Sequence, residues 1–166
     1  MKIILFDLGD TLEHEGALLP GASEMLAAVS SLRDSRGEPV RLALLSDFHL
    51  AGTPAEIPAL RESYLTILEQ LGIRSFFEPT DESVTLSTDL GVYKTDERLF
   101  KAALEKFGGT CLGDMLFITE NLAHVNAARE LGLRAVHLRG PNGDTGEIET
   151  LADFIAVAAG HAADLE

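Results

Sequence analysis

Cysteine occurs once in the 166 residues, at Cys111, and Lys and Arg together number 13 against 27 acidic residues. A lone thiol excludes an intramolecular disulfide and points to a reducing compartment. The net charge of -14, with a pI near 4.6, leaves no basic patch of the kind that nucleic acid or an anionic membrane surface requires, because either partner must have its counterions displaced. The acids are spread along the chain and form no acidic tail. No apolar run reaches membrane-spanning length, and Asp7 and Asp10 break the N-terminal apolar run too early for a signal peptide. Internal repeats and low-complexity segments are also absent. The expectation is a cytoplasmic protein without nucleic-acid or membrane partners, folded as one domain over residues 1–166, with 46% hydrophobic residues to fill its core.

What the chain does have is an apolar run that stops abruptly at an acid. Ile3-Ile4-Leu5-Phe6 reads as a strand buried on both faces, the pattern of a central strand in a parallel sheet, and Asp7 stands at its end. In open α/β sheets the ligand site lies at the carboxyl ends of the strands. Met25, Leu26, Val29 and Leu32 then fall at helical spacing within residues 22–33. Residues 40–46 repeat the opening design, an apolar run ending in Ser46. Residues 59–71 form an amphipathic helix closed by Gly72, residues 84–87 a short strand, and residues 95–107 a helix stopped by Gly108-Gly109. A strand over 115–118 ends at Thr119-Glu120, a helix over 121–131 ends at Gly132, and a strand over 134–138 precedes a Gly/Pro-rich loop over 139–146. A last helix is expected over 148–159. Strand and helix alternate throughout, which predicts a doubly wound, Rossmann-like three-layer α/β sandwich around a central parallel sheet of about five strands.

In that fold Asp7, Ser46, the Lys94 region and Glu120 come to one sheet edge. A carboxylate, a hydroxyl, an ammonium and a second carboxylate there suit a phosphate group and a divalent metal. The same order and spacing resembles the haloacid dehalogenase (HAD) superfamily from Ile3 to about Leu138. Leu5-Phe6-Asp7-Leu8-Gly9-Asp10-Thr11-Leu12 is similar to its first motif, Leu44-Leu45-Ser46 to its second, Gly91-Val92-Tyr93-Lys94-Thr95-Asp96 to its third and Leu116-Phe117-Ile118-Thr119-Glu120 to its fourth. The resemblance implies a Mg²⁺-dependent phosphatase acting on a phosphomonoester or an acyl phosphate. Asp7 would be the nucleophile and form an aspartyl-phosphate, Ser46 would hydrogen-bond the phosphoryl oxygens, and Lys94 would offset charge. Asp7, the carbonyl of Gly9 and Glu120 would hold the metal.

Two departures from the family pattern stand out. The position two residues after the nucleophile usually carries an aspartate as general acid and base; here it is Gly9. Asp10 follows, but neighbouring side chains on an extended segment point in different directions. Loss of a general acid or base costs about 10²–10⁴ in rate, so reduced activity is expected. Thr119-Glu120 replaces the usual acid-bearing pair, and His124 stands where a further Asp or Asn is usual. His124 reads either as an orienting group near Asn121 or Lys94 or as an ordinary half-buried histidine. Asp47 and His49 sit just beyond Ser46, at the mouth of the site.

No stretch is long enough for a cap domain. Capless relatives act on large substrates or have their sites closed by a neighbouring subunit. The resemblance therefore implies a phosphorylated small-molecule or protein substrate, with a homo-oligomer or a protein partner completing the open site. The alternative is a catalytically inactive binding or regulatory protein of the same fold, which accounts for Gly9, Thr119 and His124 together. A true dehalogenase would need a helical cap. Ser46-Asp47-Phe48-His49 looks like the opening of a calcineurin-type metallophosphoesterase motif, but the later Gly-Asn-His element is missing.

Overall fold

The computed structural model describes residues 1–108, 111–143 and 145–164. The elements run β1 (Ile3–Phe6), β2 (Glu13–His14), β3 (Ala17–Leu18), α1 (Ala22–Ser30), β4 (Arg41–Ser46), α2 (Ile57–Gln70) and α3 (Thr80–Ser83). They continue with β5 (Val84–Leu86), α4 (Ser87–Leu90), α5 (Glu97–Lys106), β6 (Met115–Thr119), α6 (Leu122–Glu130), β7 (Arg134–His137) and α7 (Leu151–Ala163). Five strands form one parallel sheet in the order β5-β4-β1-β6-β7, and β2 and β3 pair as a separate antiparallel hairpin. This is the expected doubly wound α/β sandwich.

Every residue of β1 is buried, because the strand is covered on both faces. Ile4 and Phe6 face a core filled from α1, α2 and α7, while Ile3 and Leu5 face a second core filled from α5 and α6. Phe6 meets Phe77 and Phe154 edge-on, with ring centroids 6.3 Å and 5.8 Å away. Tyr64, Leu65, Leu68 and Phe77 are spent in this core. Between β1 and α1 the chain adds only the β2–β3 hairpin, and between β4 and β5 only α2 with short turns and α3. Among the described residues there is accordingly no cap domain.

Helix ends follow local chemistry. Gly72 and Gly132 take positive φ (+71° and +86°) just past α2 and α6, and the next residue donates back to the carbonyl five positions earlier (Ile73 to Leu68, Leu133 to Ala128). That is the Schellman closure for which glycine is suited. Gly108, with φ +74°, follows α5, and Gly109 lies outside the described residues, as does Asp144 of the loop over 139–146. The last helix starts at Leu151, not at 148, because Thr150 and Asp153 form a reciprocal capping box. Ile148 instead bridges Leu138, and α7 continues through Gly160.

The chain passes from β1 outward to β5 and then returns to β6 on the other side of β1. The reversal opens a crevice beyond the carboxyl ends of β1 and β6, the place where such sheets hold ligands.

Candidate active site

Asp7 caps β1 in this crevice. Its N–H donates to the carbonyl of Ile118 on β6 (3.1 Å), and the residue is 5% exposed. Lys94 Nζ, on a side chain that is itself buried, lies 2.5 Å from Asp7 Oδ1, which also accepts from the Leu8 N–H at 2.9 Å. Thr119 Oγ1 donates to Asp7 Oδ2 at 3.0 Å. Burial works against the ionised form, but Lys94 and His124 outweigh it and hold the Asp7 carboxyl below the ordinary carboxylate range.

His124 comes from the first turn of α6 and stands between two acids, Nδ1 3.7 Å from Asp7 Oδ2 and Nε2 3.4 Å from Asp47 Oδ2. Burial lowers its pKa, yet Asp47 and Asp7 together raise it above that of a free imidazole. Its Nδ1 is buried without a hydrogen-bond partner. Asp47 has a second task, because its Oδ1 accepts from the Lys94 N–H at 2.8 Å and so ties the third motif to the second. The loop after β4 is fixed further by Ser87, whose hydroxyl bonds both the N–H and the carbonyl of Phe48, and by Thr88, which donates to the carbonyl of His49.

Ser46 ends β4 with its hydroxyl 2.6 Å from the hydroxyl of Tyr64 on α2. Burial holds the Tyr64 phenol protonated far above neutrality. A phenol that donates to Ser46 leaves the serine proton free for another acceptor. On the other flank, Glu120 Oε2 accepts from Thr11 Oγ1 (2.8 Å) and lies 3.2 Å from Thr119 Oγ1, sharing with Asp7 the single proton of that hydroxyl. Thr119 therefore links Asp7 to Glu120. Burial and then the Asp7 charge raise the Glu120 pKa, although Thr11 and Thr119 stabilise its carboxylate.

The structure thus brings Asp7, Ser46, Asp47, Lys94, Glu120 and His124 to one edge of the sheet. Asp10 and Asn121 are occupied elsewhere. Asp10 has φ +57° and its carboxylate lies 2.6 Å from His14 Nδ1. Asn121 Oδ1 caps α6, accepting from the N–H groups of Ala123 and His124. Thr11, Thr119, Tyr64 and Glu13 were not singled out from sequence as site residues. Thr11 could have been, since it lies within the first motif. Nothing in the sequence marks Tyr64 as more than a core residue. Two hollows are lined by neighbours of Asp7: one of about 300 Å³ by Gly9, Glu13, Ser46, Asp47, Phe48 and Tyr64, and one of about 430 Å³ by Asp10, Glu120, Asn121, His137 and Asn142 among others.

Among the described residues, no three His, Cys, Asp or Glu side chains converge as a ready metal cluster. The oxygen set of Asp7, the Gly9 carbonyl and Glu120 nevertheless fits Mg²⁺, which takes one or two carboxylates and keeps several waters. After burial, the Asp7 charge is the next cause pushing the Glu120 carboxyl up, and a cation between the two carboxylates would relieve that repulsion.

No protein-family model matches this chain, and no curated protein matches it significantly in sequence. Solved structures do. A HAD-superfamily hydrolase from Ehrlichia chaffeensis is 13% identical with a TM-score of 0.69, covering 97% of this chain and 98% of its own. A HAD phosphatase from Thermococcus onnurineus is 19% identical with a TM-score of 0.62, covering 87% of this chain and 60% of its own. YfnB from Bacillus subtilis, assigned as a HAD-hydrolase and bound to magnesium, is 14% identical with a TM-score of 0.64, covering 85% and 56%. The chain therefore spans little more than half the length of the latter two. The likeness is one of fold: this chain shares the α/β fold of these HAD-superfamily structures. No helix among the described residues is long and apolar enough to cross a membrane.

Proposed function

We propose that this protein is a HAD-type phosphohydrolase that cleaves phosphomonoesters or acyl phosphates through an aspartyl-phosphate on Asp7. One observation carries the reading: a buried carboxylate held in its ionised form, 2.5 Å from a buried ammonium, at the switch point of a doubly wound sheet. An ionised carboxylate needs no base before it attacks phosphorus. Lys94 offsets the charge of Asp7 and of the arriving phosphoryl group, which is the main demand of phosphoryl transfer. Ser46, whose hydroxyl lies 2.6 Å from that of Tyr64, donates its proton to a phosphoryl oxygen when the phenol is the donor of that pair. Thr119 orients Asp7, and Asp47 places Lys94 through the backbone. Asp7, the Gly9 carbonyl and Glu120 would hold Mg²⁺, which supplies further charge neutralisation at the phosphoryl oxygens when bound.

The substrate we propose is a phosphorylated small molecule or protein, with a second copy or a protein partner closing the capless site. The test is Mg²⁺-dependent hydrolysis of an activated aryl phosphate and of an acyl phosphate, run beside Asp7→Asn. Turnover abolished by Asp7→Asn supports the reading. A second reading, a catalytically silent binding protein, is favoured by Gly9 at the position of the usual acid. It predicts that inorganic phosphate binds with no turnover of either substrate.

A further inference from the structure

We propose that Glu13, on the β2–β3 hairpin, is the general acid and base that position 9 does not supply. The inference deepens the phosphohydrolase reading and rests on it. A Cβ built on Gly9 would stand 3.8 Å from Glu13 Oε1, so the Glu13 carboxylate borders the volume that a side chain at position 9 would fill. The hairpin holds it there. The Glu13 N–H donates to the Leu8 carbonyl at 3.1 Å, and the Glu13 carbonyl accepts from the Asp10 N–H at 2.7 Å. Its Oε2 accepts from the Gly16 N–H at 3.0 Å across the turn, which leaves Oε1 on the Gly9 side.

Glu13 also lines the 300 Å³ hollow shared by Gly9, Ser46, Phe48 and Tyr64. Ser46, which the proposed reaction places against the phosphoryl group, lines the same hollow as Glu13, Phe48 and Tyr64, and we assign the leaving group to it. The neighbouring alternatives are committed: Asp10 to His14, Asp47 to Lys94 and His124, and the Tyr64 phenol to Ser46.

In the first step the Glu13 carboxylic acid gives its proton to the bridging ester oxygen. The bond from that oxygen to phosphorus breaks while an Asp7 oxygen bonds to phosphorus, releasing an alcohol. In the second step the Glu13 carboxylate takes a proton from water. The water oxygen bonds to phosphorus, the bond from Asp7 to phosphorus breaks, and inorganic phosphate leaves with Asp7 and the Glu13 acid restored.

The test compares nitrophenyl phosphate, whose leaving group needs no proton, with phenyl phosphate, whose leaving group does. Glu13→Gln keeps a carbonyl oxygen for the Gly16 N–H. We expect it to lower kcat on phenyl phosphate by about 10²-fold or more and to change the first step on nitrophenyl phosphate little. Gly9→Asp added to Glu13→Gln puts a carboxyl into the same space and is expected to recover phenyl phosphate turnover. Equal rates for Glu13→Gln and the unaltered protein on phenyl phosphate would overturn the role of Glu13, as would an equal loss on both substrates that Gly9→Asp fails to recover. No turnover of either ester or of an acyl phosphate by the unaltered protein would overturn the phosphohydrolase reading itself.

Discussion

Lys94 Nζ and Asp7 Oδ1 form a 2.5 Å ion pair between side chains that are 2% and 7% exposed. Such a pair is costly to assemble and costlier to break, because removing one partner strands the other charge away from water. Lys94→Met is therefore expected to destabilise the fold by about 3–5 kcal/mol, read from denaturant midpoints, and to remove phosphatase turnover. Turnover surviving at a tenth of its level or more would take Lys94 out of the reaction.

Tyr64→Phe deletes one hydroxyl from a packed ring. The loss of its bond to Ser46 is worth about 1 kcal/mol, roughly a fivefold change. If Tyr64 frees the serine proton for phosphate, the change falls on KM and on inhibition by inorganic phosphate, measured by steady-state kinetics. An unchanged KM with lowered stability would assign Tyr64 to the core alone.

His161 provides a pH dependence distant from the crevice. It is buried on α7, Nε2 3.1 Å from the Asp114 carbonyl, and burial outweighs that bond to lower its pKa. A histidine depressed in the folded state favours folding when neutral. Its contribution is complete above the unfolded pKa of about 6.5 and is lost as pH falls through the lower folded value. Thermal midpoints of the unaltered protein should therefore fall more steeply below about pH 6.5 than those of His161→Gln. Parallel curves for the two would contradict this.

Phe154→Ala opens the core against Phe6, with an expected cost of about 3–5 kcal/mol in urea denaturation. A cost below about 1 kcal/mol would mean that the core collapses around the gap.

The sheet was legible because its strands are unbroken apolar runs that end in polar residues, and such runs have few places to go but the middle of a parallel sheet. Ser46 and Glu120 could be placed at one edge for the same reason, whereas Lys94 lies in the turn after α4 and was placed there by its motif. The hairpin at 13–18 was not legible, since two-residue strands carry no alternation to read. It matters to the site, because it brings Glu13 beside Gly9. Thr119 reads in sequence as a departure from a family pattern, whereas in space it bonds both Asp7 and Glu120. His124 was ambiguous because its two acidic neighbours arrive from different strand ends, a meeting that no local spacing encodes.

The proposed reaction passes through a phosphoryl group carried on Asp7. Acid-quenched reactions with an acyl phosphate and Mg²⁺, digested and weighed by mass spectrometry, test it most directly. The expected result is one added phosphoryl group on the peptide containing Asp7, removed by hydroxylamine and absent in Asp7→Asn. Steady turnover that persists in Asp7→Asn, with no phosphoryl group on that peptide, would contradict it.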